Sequence, residues 1–167
     1  DKYLGDSLMA FWGAPLDVEN KELFACKTAL LMQQEMDILK SSFAFDAAQK
    51  VRTRIGINSA DVVVGNIGGQ ERFDYTVMGD GVNLASRLEG ANKIYGTSIM
   101  ISEDTYEKVK DEVLVRTIDK IVVKGKTKPI KVFELIGLKS DEKVIEKYNL
   151  FNNYLNGYEH FCNRKFN

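Results

Sequence analysis

From about Glu19 to Lys40 the apolar residues Cys26, Ala29, Met32, Met36 and Leu39 recur at helical spacing and predict a helix with one buried stripe. Val51 to Asn58 alternates as a half-buried strand does. Asp61 to Ile67 carries a denser apolar run, and a short turn at Ser59-Ala60 joins the two. Phe73 to Met78 predicts a strand that leads into a helix from about Asp80 to Ile94, with Asp80 as its N-cap. Thr97 to Ile101 reads as a short strand. Ser102 then caps a helix with an acidic first turn, ending near Lys110. Val113 to Val123 and Ile130 to Leu135 are strands linked by a basic turn, Lys124 to Pro129, and a helical pattern returns from about Asp141 to Phe166. At the front, Lys2-Tyr3-Leu4, a Gly5-Asp6 turn and Ser7 to Trp12 read as a hairpin. Several strands are joined by short turns. The pattern therefore predicts an α+β fold, an antiparallel-rich sheet flanked by helices, rather than a doubly wound parallel sheet.

Composition narrows the class of function. The 167 residues suffice for one domain with a real core and an appendage, and 44% hydrophobic with 28% charged residues is ordinary for a globular chain. A net charge of −1 gives no bulk attraction to nucleic acid or an anionic membrane. No apolar run approaches the roughly 20 residues of a membrane span, and residues 1–15 do not read as a signal peptide. Cys26 and Cys162 are too few for a disulfide framework and fit a reducing cytoplasm, with Cys26 expected as a small buried residue. A half-supported hairpin at the first residues is an exposed edge. It sets the expectation of a fragment that lacks at least one strand and one helix upstream.

The chemistry is also bounded by what is missing. There is no Gly-x-x-x-x-Gly-Lys-Ser/Thr loop, and Gly65-Asn66-Ile67-Gly68-Gly69 does not fit the dinucleotide pattern. The single histidine, His160, lies in the tail, so zinc clusters and Ser-His or Cys-His pairs are excluded from the main domain. Carboxylates, amides and cations remain, a set suited to metal-assisted phosphoryl chemistry. Asn83 and Arg87 stand four apart just past the start of their predicted helix, so one face presents an amide and a guanidinium beside free backbone N–H groups. That arrangement suits an oxyanion or a phosphate. Asp6, at a hairpin tip, is a candidate ligand for a hard cation such as Mg²⁺. Taken singly, each feature also has a plain structural reading. Asp6 is a favoured turn residue, and Arg87 a surface cation able to pair with Glu89 or Glu71. Lys124 to Lys128 is a solvated basic turn, and Thr76 a β-branched strand residue.

Taken together, in order, these segments resemble class III nucleotidyl cyclases, the adenylyl and guanylyl cyclase family. The segments are Lys2-Tyr3-Leu4-Gly5-Asp6-Ser7-Leu8-Met9-Ala10, Arg54 to Ser59, Val62 to Gly68, Phe73 to Glu89 and Val123-Lys124-Gly125-Lys126. The resemblance covers roughly residues 1–137 and takes Arg54 to Gly68 as the family's central hairpin. It implies a fold derived from the ferredoxin-like one, a dimer, and an active site at the subunit interface. It implies ATP as substrate, with cyclic AMP and pyrophosphate as products, and two divalent cations, Mg²⁺ or Mn²⁺, per site. By the same resemblance Asp6 is a metal ligand, Lys2 and Thr76 read the base, Asn83 orients the ribose, Arg87 stabilises charge on the α-phosphate, and Lys124 binds the triphosphate. Asp6 would come from one subunit and the other residues from its partner.

Base choice follows from hydrogen-bonding capacity. Lys2 only donates and Thr76 donates or accepts, so the pair can serve adenine's N1 acceptor and N6 donor. Guanylyl members carry an acidic residue and a Cys instead, and Thr in place of Asp is similar to bicarbonate-stimulated members. Two departures stand out. The family's first metal Asp lies in a strand upstream of residue 1, and Asp1 sits in the wrong element to replace it, so the chain as given is expected to turn over little. Ala60 replaces a Gly usual in the central turn, for which a modest backbone adjustment is expected. The domain expectation is a cyclase domain at 1–138 lacking its first strand and helix, and a helical extension at 139–167. In the extension, Leu155-Asn156-Gly157-Tyr158, Phe161 and Arg164-Lys165-Phe166 resemble the opening helix of a tetratricopeptide-like repeat. The expected setting is cytoplasmic, alone or as part of a membrane-anchored protein, with a sensory domain upstream and neither nucleic acid nor membrane as partner of this segment. The alternatives are a guanylyl cyclase and a non-catalytic cyclase-like regulator.

Overall fold

The computed structural model describes residues 1–42, 51–69, 73–122, 129–150 and 157. In chain order the elements are β1 (Lys2–Leu4), β2 (Ser7–Met9), α1 (Lys21–Ser42), β3 (Ile55–Ile57), β4 (Val63–Gly68), β5 (Phe73–Met78), α2 (Asp80–Tyr95), β6 (Ile99–Ser102), α3 (Glu103–Val109), β7 (Val113–Ile121), β8 (Ile130–Leu138) and α4 (Glu142–Leu150). The central sheet runs β3-β6-β8-β7, and β1-β2 and β4-β5 form two-stranded ribbons. Among the described residues every strand pair is antiparallel except β3 with β6. The expected α+β fold with an antiparallel-rich sheet is what the chain adopts.

The central sheet is covered on both faces, and the two-residue period of a strand decides which side chain goes where. Ile99 and Ile101 of β6 face α1 and α3, packing with Cys26, Ala29, Val109, Phe133 and Leu135. Met100, between them in sequence, faces α2 and packs with Leu84, Leu88, Ile118 and Val132. A strand buried on both faces loses the alternating pattern. This is why β6 reads in sequence as the continuous apolar run Ile99-Met100-Ile101. Ser102 caps α3 as expected, its hydroxyl accepting from the Thr105 amide at 3.3 Å.

Three local expectations are corrected. The segments around β3 and β4 do not form a hairpin with each other. β3 pairs in parallel with β6, whereas β4 pairs along its full length with β5. β3 also packs closely on α2: a Cβ on Gly56 would run into the Ala85 carbonyl oxygen and the Glu89 nitrogen, so the position requires glycine. Next, α2 is capped by Gly79 rather than Asp80. Gly79 adopts φ 151°, a conformation favouring glycine, and Asp80 becomes the acidic residue of the first turn. Finally, the α1 stripe is buried only near its start. Cys26 and Ala29 are in the core and Met36 is half-buried, whereas Met32 and Leu39 are exposed.

Within the extension, α4 folds back on β8. Gly137 makes room for it, since a Cβ there would meet Val144 side-chain atoms at 2.6 Å. The repeat-like residues beyond α4 lie outside the described residues, apart from Gly157. Among the described residues no helix is long and apolar enough to cross a membrane.

Candidate active site

The first ribbon supplies two of the expected residues. Leu4 pairs with Ser7, leaving Gly5-Asp6 as a two-residue turn in which Gly5 takes φ 64°. This conformation suits glycine, and it leaves the Asp6 carboxylate exposed at the tip. At the other end of β1, Lys2 is half-buried. Its ammonium lies 3.7 Å from the Asp74 carboxylate of β5 and 3.8 Å from that of Asp1.

The second ribbon supplies Thr76, which pairs with Gly65 across β4-β5. Thr76 is buried, and its hydroxyl donates to Asp1 Oδ2 at 2.6 Å. Asp74 and Thr76 lie two apart on β5 and so share one strand face. The structure thus gathers Lys2 and Thr76, from different ribbons, onto the Asp1 carboxylate. That side chain is only 2% exposed. Asp1 and Asp74 were not singled out as site residues in the sequence. Their signal was positional: one directly precedes Lys2, and the other stands two residues before Thr76.

A single residue, Gly79, separates β5 from α2, so Thr76 and the first turns of α2 are tied closely together. The Val82 amide donates to the Gly79 carbonyl at 3.1 Å. Asn58 steadies this end of the helix from outside, donating to the Gly81 carbonyl at 3.0 Å. A Cβ on Gly81 would lie 2.5 Å from the Ala60 methyl group, so Ala60 and Gly81 fit as a pair. Along α2, Leu84 and Leu88 are buried in the core, and Asn83 and Arg87, each one residue earlier, are exposed on the adjoining face. The burial of the two leucines fixes the outward face on which the amide and guanidinium stand.

Lys124 lies outside the described residues. Among the described residues no group of three or more His, Cys, Asp or Glu side chains could hold a metal ion. Asp6 has the hard oxygen donors that Mg²⁺ prefers, but one carboxylate does not make a cation site. A shallow depression of about 330 Å³ at the end of the β4-β5 ribbon is lined by Asn66, Gly68, Gly69 and Phe73, and none of the expected site residues borders it.

Residues 2–137 match the family model described as the adenylate and guanylate cyclase catalytic domain. The chain belongs to that family. It is 37% identical over 137 residues to adenylate cyclase 1 of Rhizobium meliloti, covering 82% of this chain and 21% of that protein. It is 37% identical over 142 residues to an adenylate cyclase of Anabaena cylindrica, covering 81% of this chain and 27% of that protein. The chain therefore spans about a fifth to a quarter of these relatives. Among solved structures it resembles the adenylyl cyclase CyaB from P. aeruginosa, with a TM-score of 0.71 and 34% identity, over 84% of this chain and 72% of that one. In this cyclase domain the matched region ends at residue 137, within β8, and leaves α4 outside.

Proposed function

We propose that this domain belongs to an adenylate cyclase that converts ATP to 3′,5′-cyclic AMP and pyrophosphate in intracellular signalling, on the cytoplasmic side. The carrying observation is the meeting of Lys2 and Thr76 on one buried carboxylate. Two base-reading side chains from separate ribbons have to converge if they are to grip one purine. Lys2 donates to adenine N1, and Thr76 serves the N6 amine. Asn83 orients the ribose, Lys124 holds the triphosphate, and Arg87 lies where charge grows on the α-phosphate. In the reaction the ribose 3′-oxygen forms a bond to the α-phosphorus while the bond to the pyrophosphate oxygen breaks, and the 3′-hydroxyl proton is lost. A guanidinium is most useful where negative charge develops, because only interactions that strengthen in the transition state raise the rate. Two divalent cations, Mg²⁺ or Mn²⁺, when bound, neutralise phosphate charge. Asp6 would supply one ligand to such a cation.

The site is completed by a second copy, with Asp6 from one subunit and the remaining residues from its partner. The exposed apolar residues of the ribbons support this reading. Tyr3, Leu8, Val63, Phe73 and Met78 are each more than half exposed, more apolar surface than two short ribbons leave in water without a covering partner. The test is cyclic nucleotide formation from ATP and from GTP, with Mg²⁺ or Mn²⁺, by the domain joined to the upstream strand that the resemblance calls for. Cyclic AMP as the main product is expected. Cyclic GMP in excess, or no product from an intact dimer, overturns the proposal in favour of a guanylyl cyclase or a regulatory module respectively.

A further inference from the structure

A threonine hydroxyl does not by itself choose between adenine and guanine, because it can donate to one and accept from the other. In this structure the choice has been made for it. Thr76 Oγ1 gives its proton to Asp1 Oδ2 at 2.6 Å, and an ionised carboxylate can only accept. What Thr76 retains for a ligand is its lone pairs. The same carboxylate has the Lys2 ammonium 3.8 Å away, and that ammonium also lies 3.7 Å from the Asp74 carboxylate. We infer that Asp1 is a positioning residue for base choice, fixing Thr76 as an acceptor and Lys2 as a donor toward the purine edge. Adenine matches that pair, with N1 an acceptor and the N6 amine a donor. Guanine presents the reverse, an N1–H donor and an O6 acceptor, so both contacts would oppose like with like. Opposed or unpaired buried polar groups discriminate far more strongly than a change of shape. Burial strengthens the device: with its side chain 2% exposed, the Asp1 carboxylate has little water to turn to in place of Thr76.

The inference rests on the base-reading role of Thr76, and a double-mutant cycle separates the two. Asp1→Asn, Thr76→Val and the double variant are compared in the whole protein, reading the ratio of kcat/KM for GTP to that for ATP. That ratio is taken within each sample and does not depend on how much of it is folded. An Asn amide can donate to Oγ1 and free the hydroxyl to turn toward the base. Asp1→Asn is expected to raise the ratio about tenfold, the scale of one misdirected hydrogen bond, mostly through KM for ATP because the base is remote from the reacting atoms. In the Thr76→Val background the same change is expected to move the ratio less than about twofold. Asp1→Glu, which keeps the carboxylate, should hold the ratio near that of the unaltered protein, and Asp1→Ser should repeat the shift if Asp1→Asn does not fold. A Thr76→Val variant with unaltered preference would defeat the base-reading role itself. A shift in Thr76→Val without one in Asp1→Asn, or equal shifts by Asp1→Asn in both backgrounds, would overturn the role given to Asp1.

Discussion

The central sheet and the two ribbons of this domain are stabilised in different ways. In the sheet, β6 buries all four of its residues, α1 and α3 close one face, and α2 closes the other. One polar side chain inside that body finds several partners. Asn92, 1% exposed, donates to the Leu88 carbonyl at 2.9 Å and to the Ile55 carbonyl at 3.0 Å, and accepts from the Thr97 hydroxyl at 2.6 Å. The ribbons, by contrast, pair only internally among the described residues and expose Tyr3, Leu8, Val63, Phe73 and Met78. Yet the ribbons carry Asp6, Lys2 and Thr76. Helix α2 belongs to both regions, with Leu84 and Leu88 in the core and Asn83 and Arg87 turned outward. The sheet buries two apolar clusters, while the site-bearing ribbons leave large apolar side chains exposed.

This contrast predicts that changes on the outward face of α2 act on activity and leave the fold alone, while changes on its inward face do the reverse. The largest effect belongs to Arg87→Ala, expected to lower kcat by about 10²-fold or more, the scale of losing one donor to developing charge. Its thermal midpoint should stay within a few degrees of the unaltered protein. Near-normal turnover would remove the catalytic role. One position further along, Leu88→Ala deletes a fully buried side chain, and equilibrium denaturation should show a loss of about 2–5 kcal/mol. A smaller loss, about 1–3 kcal/mol, is expected for Asn92→Ala, which leaves the Ile55 and Leu88 carbonyls and the Thr97 hydroxyl without this partner. If Leu88→Ala and Arg87→Ala proved alike in both readouts, the division of α2 into two faces would fail.

A further effect is a pH dependence confined to the body and to alkaline pH. Burial pushes the Cys26 thiol up to about 12 from an ordinary 9, with the charge of Glu22 adding to it. The unfolded chain therefore loses this proton first as pH rises. Between about pH 9 and 12 the folded state binds more protons than the unfolded one, and stability must fall across that window and be unaffected below it. A thiol-alkylating reagent at pH 8 should react with Cys26 only as fast as the domain opens. Rapid labelling of the folded protein would show that the α1–α3 side of the core is looser than the packing indicates.

The sequence carried most of this where one physical cause acted alone. β5 and the start of α2 matched their patterns because a strand, a glycine with a positive φ and an amphipathic helix follow one another there. The Gly5-Asp6 hairpin was legible for the same reason. What stayed hidden was long-range partnership. Nothing local says that β3 pairs with β6 in place of β4, since β6 lies far along the chain beyond β4, β5 and α2. The α1 stripe was overextended because periodicity reports which face could be buried, not how far the neighbouring elements reach. Lys2, Thr76, Asn83 and Arg87 could be picked out as residues. The carboxylate of Asp1 beneath Lys2 and Thr76 could not, because β1 and β5 are 75 residues apart at that contact.

The central claim is that the site-bearing surfaces of two copies complete one another, and mixing two defective variants tests it most directly. Asp6→Ala and Arg87→Ala are each expected to be nearly silent. Each damages a different half of the same composite site, so an equal mixture that exchanges subunits should contain dimers with one intact site. Cyclic AMP formation should then return to about a quarter of the unaltered level, the share expected when half the dimers are mixed and one of their two sites is whole. If subunit exchange is demonstrated and the mixture remains as silent as its components, Asp6 and Arg87 do not serve one site from opposite copies, and the account is wrong.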